Sequence, residues 1–147
     1  MKFSTRSANN NDFEFLFELK KVAEFEAIKA IFGWDDEIQR EIHHDEWSEE
    51  RPTIIEISGN EIGSFLLQNK GDYFYFCRFF LLPDFHGKGI GSKILSQCLD
   101  IADSERKSIK LCYLQGNRVG ELYHKFGFKV ISKDAQFVYM QRQSTCL

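Results

Sequence analysis

The chain has 147 residues, 43% of them hydrophobic, with a net charge of −3 and a pI near 5.8. That is apolar material for one substantial core, so a single domain over residues 1–147 is expected. The acidic balance and the lack of a basic run interleaved with aromatics argue against a nucleic-acid partner. No basic start leads into an apolar stretch, and no apolar run is long enough for a membrane span, so a soluble, cytoplasmic protein without a membrane partner is expected.

Lys2–Ser7 reads as a short first strand, β1. Asn11–Asp12 is placed to cap a helix, α1, whose stripe is Phe13, Leu16, Phe17, Ala23, Ala27, Ala30 and Ile31, and Gly33 ends it. Trp34-Asp35-Asp36-Glu37 opens a second helix, α2, running towards Trp47 with Asp35 as N-cap. Residues 35–50 hold eight acids against one base, Arg40, or about −7 locally, which leaves +4 for the rest. A solvated helix face and an acidic rim for a cationic guest both fit that pattern.

Thr53–Ile57 and Glu61–Gln68 read as strands β2 and β3, joined by the tight turn Ser58-Gly59-Asn60. Lys70-Gly71-Asp72 turns into the central strand, β4, over Tyr73–Leu82, where Arg78 is the lone charge. So apolar a run predicts burial on both faces. After Pro83–Asp84 comes His86-Gly87-Lys88-Gly89-Ile90-Gly91-Ser92, leading into a helix, α3, with Ile90, Ile94, Leu95, Cys98, Ile101 and Ala102 at helical spacing. A helix start bare of large side chains presents free N–H groups and partial positive charge, a natural seat for a phosphate. Alternatively, the glycines only close a tight connection. The spacing is neither a Walker P-loop nor a dinucleotide fingerprint.

Ile109–Leu114 is a fifth strand, β5, parallel to β4 because a helix intervenes, with a right-handed crossover expected. A short helix, α4, is expected from Asn117 to Phe126, stopped by Gly127. Phe128–Ser132 and Gln136–Gln141 form a closing hairpin, β6 and β7, and Gln143–Leu147 a loose tail. Cys77, Cys98, Cys112 and Cys146 show no CxxC pairing and read as reduced thiols, three of them in apolar patterns. The adjacent His43 and His44 point apart on a helix and neither has a His or Cys at i+4, so no metal site is expected.

The loop His86-Gly87-Lys88-Gly89-Ile90-Gly91 resembles motif A of the GNAT N-acetyltransferase superfamily, Q/R-x-x-G-x-G/A, with His in the first place. Residues 117–128, NRVGELYHKFGF, are similar to its motif B, N-x-x-A-x-x-L-Y-x-K-x-G-F, with Gly120 in place of Ala. The resemblance runs from the second strand to the end of the chain. It implies an α+β fold, three layers around a mixed, mostly antiparallel sheet, in the order β1-α1-α2-β2-β3-β4-α3-β5-α4-β6-β7. It also implies acetyl-CoA as co-substrate, no metal, and an amine acceptor, with homodimers frequent in the family.

Residue by residue, the resemblance assigns His86, Gly87, Lys88, Gly89, Ile90, Gly91 and Ser92 to the pyrophosphate, and Phe80, Leu81 and Leu82 to the pantetheine arm, which pairs with β4 like another strand. Asn117 and Lys125 would orient the coenzyme, although helix capping explains Asn117 equally well. Tyr123 would be the general acid, since a phenol with a pKa near 10 stays protonated at neutral pH; packing is its other reading. Trp34, Asp35, Asp36 and Glu37 would border the acceptor, predicting a polycationic primary amine. No general base is identifiable; water, Glu56 or an acid near Trp34 stay open. Two other classes also stay open, a non-catalytic acyl-CoA sensor and a nucleotide-binding module.

Overall fold

The computed structural model describes residues 2–145. Seven strands form one sheet in the order β1-β2-β3-β4-β5-β7-β6. Packing divides the chain into two compact units, Met1–Leu66 with Arg78–Lys88, and Leu67–Cys77 with Gly89–Leu147. The element order is the expected one, and the sheet is mixed and mostly antiparallel.

In the first unit, β1 spans Ser4–Ser7 and pairs antiparallel with β2, Thr53–Ile57, from Ser4↔Glu56 to Ser7↔Thr53. Lys2 and Phe3 find no partner in that register, so the strand starts later than expected. β3 spans Asn60–Asn69 and pairs antiparallel with β2 across a bulge at Ile55/Glu56. α1 spans Phe13–Phe32 with Asp12 in the N-cap position, but the Asp12 side chain makes no cap hydrogen bond to it. A 3₁₀ turn, Asn10–Asp12, precedes it, in which the Asn9 side chain accepts the Asn11 N–H at 2.9 Å and the Asp12 carboxylate accepts the Asn9 N–H at 2.7 Å. Asp12, 2% exposed, also takes both arms of the Arg6 guanidinium at 2.7 and 3.0 Å.

The buried face of α1 is Leu16, Phe17, Leu19 and Ile28, while Ala23 and Ala30 are exposed. Large side chains take the inward positions because the gain scales with apolar area removed from water, of which alanine has little. Leu16 and Leu19 pack with Ile54, and Phe15, Trp47 and Phe80 close over them. α2 spans Asp36–Glu49, two residues past Trp47, and Asp35 caps it as expected, its carboxylate accepting the Ile38 N–H at 3.1 Å.

β4 spans Tyr73–Leu81. Leu82 leaves the strand, though its N–H still reaches the Ile62 carbonyl at 2.8 Å. Burial on both faces does not hold: Phe74 and Phe76 are buried, and every other residue of the strand is half-buried. In the second unit, β5, Ser108–Leu114, is parallel to β4 as expected, over Tyr73↔Ser108, Phe74↔Ile109 and Tyr75↔Lys110. β7, Phe137–Arg142, lies antiparallel against β5, and β6, Lys129–Lys133, is the fully exposed outer strand. The hairpin was legible; which of its arms meets β5 was not.

α3, Ile90–Ser104, buries Ile90, Ile94, Leu95, Cys98, Leu99 and Ala102, whereas Ile101 is 46% exposed and off the expected stripe. α4 is shorter than expected, Gly120–Lys125, because Asn117 makes a turn of its own, its Oδ1 accepting the Val119 N–H at 3.0 Å. Cys77, Cys98 and Cys112 are free thiols; burial pushes Cys98 up to about 12, while Cys77 and Cys112 are only half-buried. Cys146 lies outside the described residues, as does the end of the tail. No helix among the described residues is long and apolar enough to cross a membrane.

The tail is not loose at Thr145, whose N–H and hydroxyl both bind Asp103, at 3.1 and 3.0 Å. Arg142 donates to the same carboxylate at 2.9 and 3.1 Å. The Arg142 guanidinium, helped by Thr145, holds the Asp103 carboxyl down to about 2. A folded pKa below the unfolded value near 3.9 stabilises the protein above about pH 4, and that stability is lost as pH falls through 2. Asp103→Asn is therefore expected to cost about 1–2 kcal/mol at pH 7 and to flatten the loss of stability between roughly pH 4 and 2, read by urea unfolding at several pH values.

Candidate active site

After β4 a 3₁₀ turn, Pro83–Phe85, sets up the glycine loop, with the His86 N–H donating to the Pro83 carbonyl at 3.1 Å. Gly87 and Gly89 have φ of 72° and 81°, and a Cβ built at either would meet nothing within 4 Å. Backbone conformation, not crowding, therefore requires glycine there. Gly89 is the N-cap of α3 and offers no side chain to its amides, and no acid stands in the first turn. The first intrahelical bond, Lys93 N–H to Gly89 carbonyl at 3.2 Å, leaves the N–H groups of Ile90, Gly91 and Ser92 without a partner inside the helix. Ile90, 1% exposed, anchors this end, and Lys88 and Lys93 are exposed beside it. An anion is the guest that such an end favours.

His86 is the exception among the motif A residues. Its Nε2 lies 2.8 Å from the Leu81 carbonyl, which only accepts, so Nε2 carries the proton and fastens the loop to the end of β4. Phe80, Leu81 and Leu82 are all half-buried. Behind them lies Gly63 of β3, a residue the sequence reading passed over. A Cβ on Gly63 would stand 2.5 Å from the Phe80 carbonyl oxygen and 2.7 Å from Leu81 Cδ2. The available signal was an isolated glycine inside a strand pattern, which marks close backbone approach.

In the second unit, Tyr123 projects from α4 and is 6% exposed. Its ring meets Phe76, Tyr113 and Phe128 at centroid separations of 6.3, 6.1 and 5.7 Å. Its carbonyl accepts the N–H groups of Phe126 and Phe128 at 3.0 and 3.1 Å, closing the short helix. Tyr113 was also missed. A Cβ on Gly120 would collide with the Tyr113 hydroxyl and stand 2.8 Å from its Cζ, which explains glycine where motif B has alanine. Asn117 holds the turn before α4, and Lys125 is exposed in its last turn.

The acidic residues of the first unit are only partly brought together. Asp35 is the cap of α2, and Trp34 packs against Phe25 with the rings tilted and their centroids 5.2 Å apart. Asp36 accepts from Lys21 at 2.9 Å and from the Trp34 indole N–H at 3.2 Å, and the Lys21 ammonium holds its carboxyl below the usual range. Asp36, Glu37, Arg40, Glu41, Phe13 and His44 line an open cavity of about 570 Å³. Glu56, one candidate base, is paired with Arg6 at 3.0 Å. Among the described residues no group of three or more His, Cys, Asp or Glu is placed to hold a metal ion.

A family model described as an acetyltransferase (GNAT) domain matches residues 48–130. Among solved structures, the PaiA N-acetyltransferase of Thermoplasma acidophilum, in complex with coenzyme A, superposes with a TM-score of 0.75 at 20% identity, over 97% of this chain and 99% of that one. The ribosomal-protein-S18-alanine N-acetyltransferase of Escherichia coli gives 0.72 at 14% identity, over 99% and 96%. A mutant form of the spermidine/spermine N-acetyltransferase of Vibrio cholerae gives 0.65 at 16% identity, over 98% and 96%. Among curated proteins no sequence matches this chain.

The Tyr113–Gly120 fit makes a test. Gly120→Ala should destabilise the chain by about 1–3 kcal/mol, because the new methyl displaces a packed phenol. Tyr113→Val in the same chain should recover most of that loss. A double-mutant cycle in urea should return a coupling of about 1 kcal/mol or more.

Proposed function

The chain belongs to the GNAT acetyltransferase family, and from there we propose that residues 1–147 act as one domain, an acetyl-CoA-dependent N-acetyltransferase that moves the acetyl group directly to a primary amine. The observation that carries this reading is the bare start of α3, with two left-handed glycines before it and unpartnered amides in its first turn. A diphosphate satisfies those amides and meets the positive end of the helix dipole, with Lys88 alongside. Gly87, Gly89, Ile90, Gly91 and Ser92 supply the cradle, while His86 keeps the loop attached to β4. The main chain of Phe80, Leu81 and Leu82 receives the pantetheine arm as an added strand. Asn117 and Lys125 orient the coenzyme from the α4 side.

In the reaction the neutral amine nitrogen attacks the thioester carbonyl carbon, and the C–N bond forms as negative charge builds on oxygen. When the C–S bond breaks, the sulfur leaves with its electron pair and takes the Tyr123 hydroxyl proton. The acetylated nitrogen gives its extra proton to water, and Tyr123 is reprotonated from solvent. Water is assigned this role because Glu56 is committed to Arg6, Asp35 to the α2 cap and Asp36 to Lys21. The acceptor is a polycationic amine. Glu37 and Glu41, beside Phe13 in the open cavity, draw it by electrostatic focusing, whereas Lys21 and Arg40 already offset Asp36.

Thiol release from acetyl-CoA, measured with spermine, spermidine, a simple monoamine and a peptide with a free N-terminus, tests the reading. Spermine or spermidine should be the best acceptor. Coenzyme binding with no release for any amine would instead identify a sensor on the same fold. Tyr123→Phe should lower kcat by about 10²-fold or more with little change in coenzyme affinity, and near-full turnover would remove the phenol from the mechanism. Glu37→Lys with Glu41→Lys should raise the KM for spermine by about threefold to tenfold, and the effect should shrink as salt is added.

A further inference from the structure

Arg78 is the lone charged residue of β4, and it adopts φ of 52°, in the left-handed region that an arginine seldom enters. The alternation of buried and half-buried side chains along β4 stops there: Phe74 and Phe76 are buried, and from Arg78 to Leu81 every residue is half-buried. Four contacts hold the turn. Its carbonyl accepts the hydroxyl of Ser64, 1% exposed, at 2.9 Å. Its guanidinium donates to the carbonyls of Glu46 and Glu50, at 3.1 and 2.5 Å, where α2 ends. Its Nε faces the Glu46 carboxylate at 3.3 Å, which Lys20 of α1 approaches from the other side at 3.5 Å.

A planar fork with several donors suits two helix-end carbonyls and a carboxylate at once, and the cation meets the negative end of the α2 dipole. Two residues further on, the Phe80 carbonyl lies against Gly63. One side chain thus ties the end of α2 to the point where β4 changes its backbone course.

We propose that Arg78 is a positioning residue for acyl transfer: by clamping β4 to the last turn of α2 it fixes the course of Phe79, Phe80 and Leu81, the segment that receives the coenzyme arm. This rests on the acetyltransferase reading and adds to it a residue that touches neither coenzyme nor acceptor. Removing the clamp lets the arm bind but leaves the thioester poorly aimed, so the loss falls on turnover rather than on affinity, much of which comes from the amides at the start of α3.

The test compares Arg78→Asn, which tolerates a left-handed backbone but cannot reach α2, with Arg78→Lys and Ser64→Ala. Acetyl-CoA and spermine are the substrates, and coenzyme binding is followed by calorimetry. Arg78→Asn should lower kcat at least about tenfold with the coenzyme Kd within about twofold. Arg78→Lys, which keeps a cation beside the carbonyls, should recover part of the rate, and Ser64→Ala should shift kcat in the same direction by less. Amide exchange over Phe79–Leu81 should quicken in Arg78→Asn relative to the rest of the sheet. Wild-type kcat in Arg78→Asn, coenzyme affinity lost in step with kcat, or unchanged exchange over Phe79–Leu81 would each overturn the proposal. Coenzyme binding without thiol release by the unmutated chain would overturn the reading beneath it, while the exchange measurement would still report on the clamp.

Discussion

The unpaired amides at the head of α3 are the constraint around which the functional reading is built. Every helix leaves its first N–H groups without internal partners, and in the first unit side chains take some of them, Asp35 at α2 and the Asn9–Asp12 box at the 3₁₀ turn before α1. At α3 the cap is Gly89, which has no side chain to offer. Buried Ile90 fixes the helix end while the glycines keep it uncovered. A helix end left open in that way is expensive unless something outside the chain completes it, and the chemistry of the opening selects an anion.

Within the first unit, small residues and one large cation control the backbone at the end of β4. Gly63 lets the Phe80 carbonyl come closer than any side chain would allow, and Ser64 and Arg78 secure the change of course just before it. In the second unit a similar trade operates between Gly120 and Tyr113, where the missing methyl is replaced by a phenol from β5. Tyr123 is therefore held by aromatic rings from β4, β5 and the segment after α4. A side chain packed on three sides by other rings has few rotamers open to it.

Charge is distributed less simply than a count suggests. The −7 of residues 35–50 is broken up by cross-pairing, since Asp36 meets Lys21, Glu46 meets Lys20 and Arg78, and Asp35 accepts a backbone N–H. Besides Asp36, the acids of this stretch that line the open cavity are Glu37 and Glu41. Arg6 does comparable work at the other end of the first unit, where it collects Asp12, Glu56 and Glu61.

Local rules carried much of the way. Period and turn chemistry placed all eleven helices and strands in order, with ends shifted by one or two residues in most cases and by about three at the start of α4. The glycine loop was legible because its geometry is written in consecutive residues: φ above zero requires glycine, and a bare helix start follows. Asp35 was legible for the same reason. What the chain order did not contain were facts made by residues far apart in it. The pairing of β7 rather than β6 with β5, the committal of Glu56 to Arg6, the return of Thr145 to Asp103, and the clamp of Arg78 on α2 all join segments separated by 20 residues or more. Sequence alone settled that the loop before α3 needs glycine and where α2 and α3 begin. Which charges are paired and which side chain fills the space beside a glycine was decided only in the folded protein, because those contacts depend on three-dimensional neighbours that no local spacing encodes.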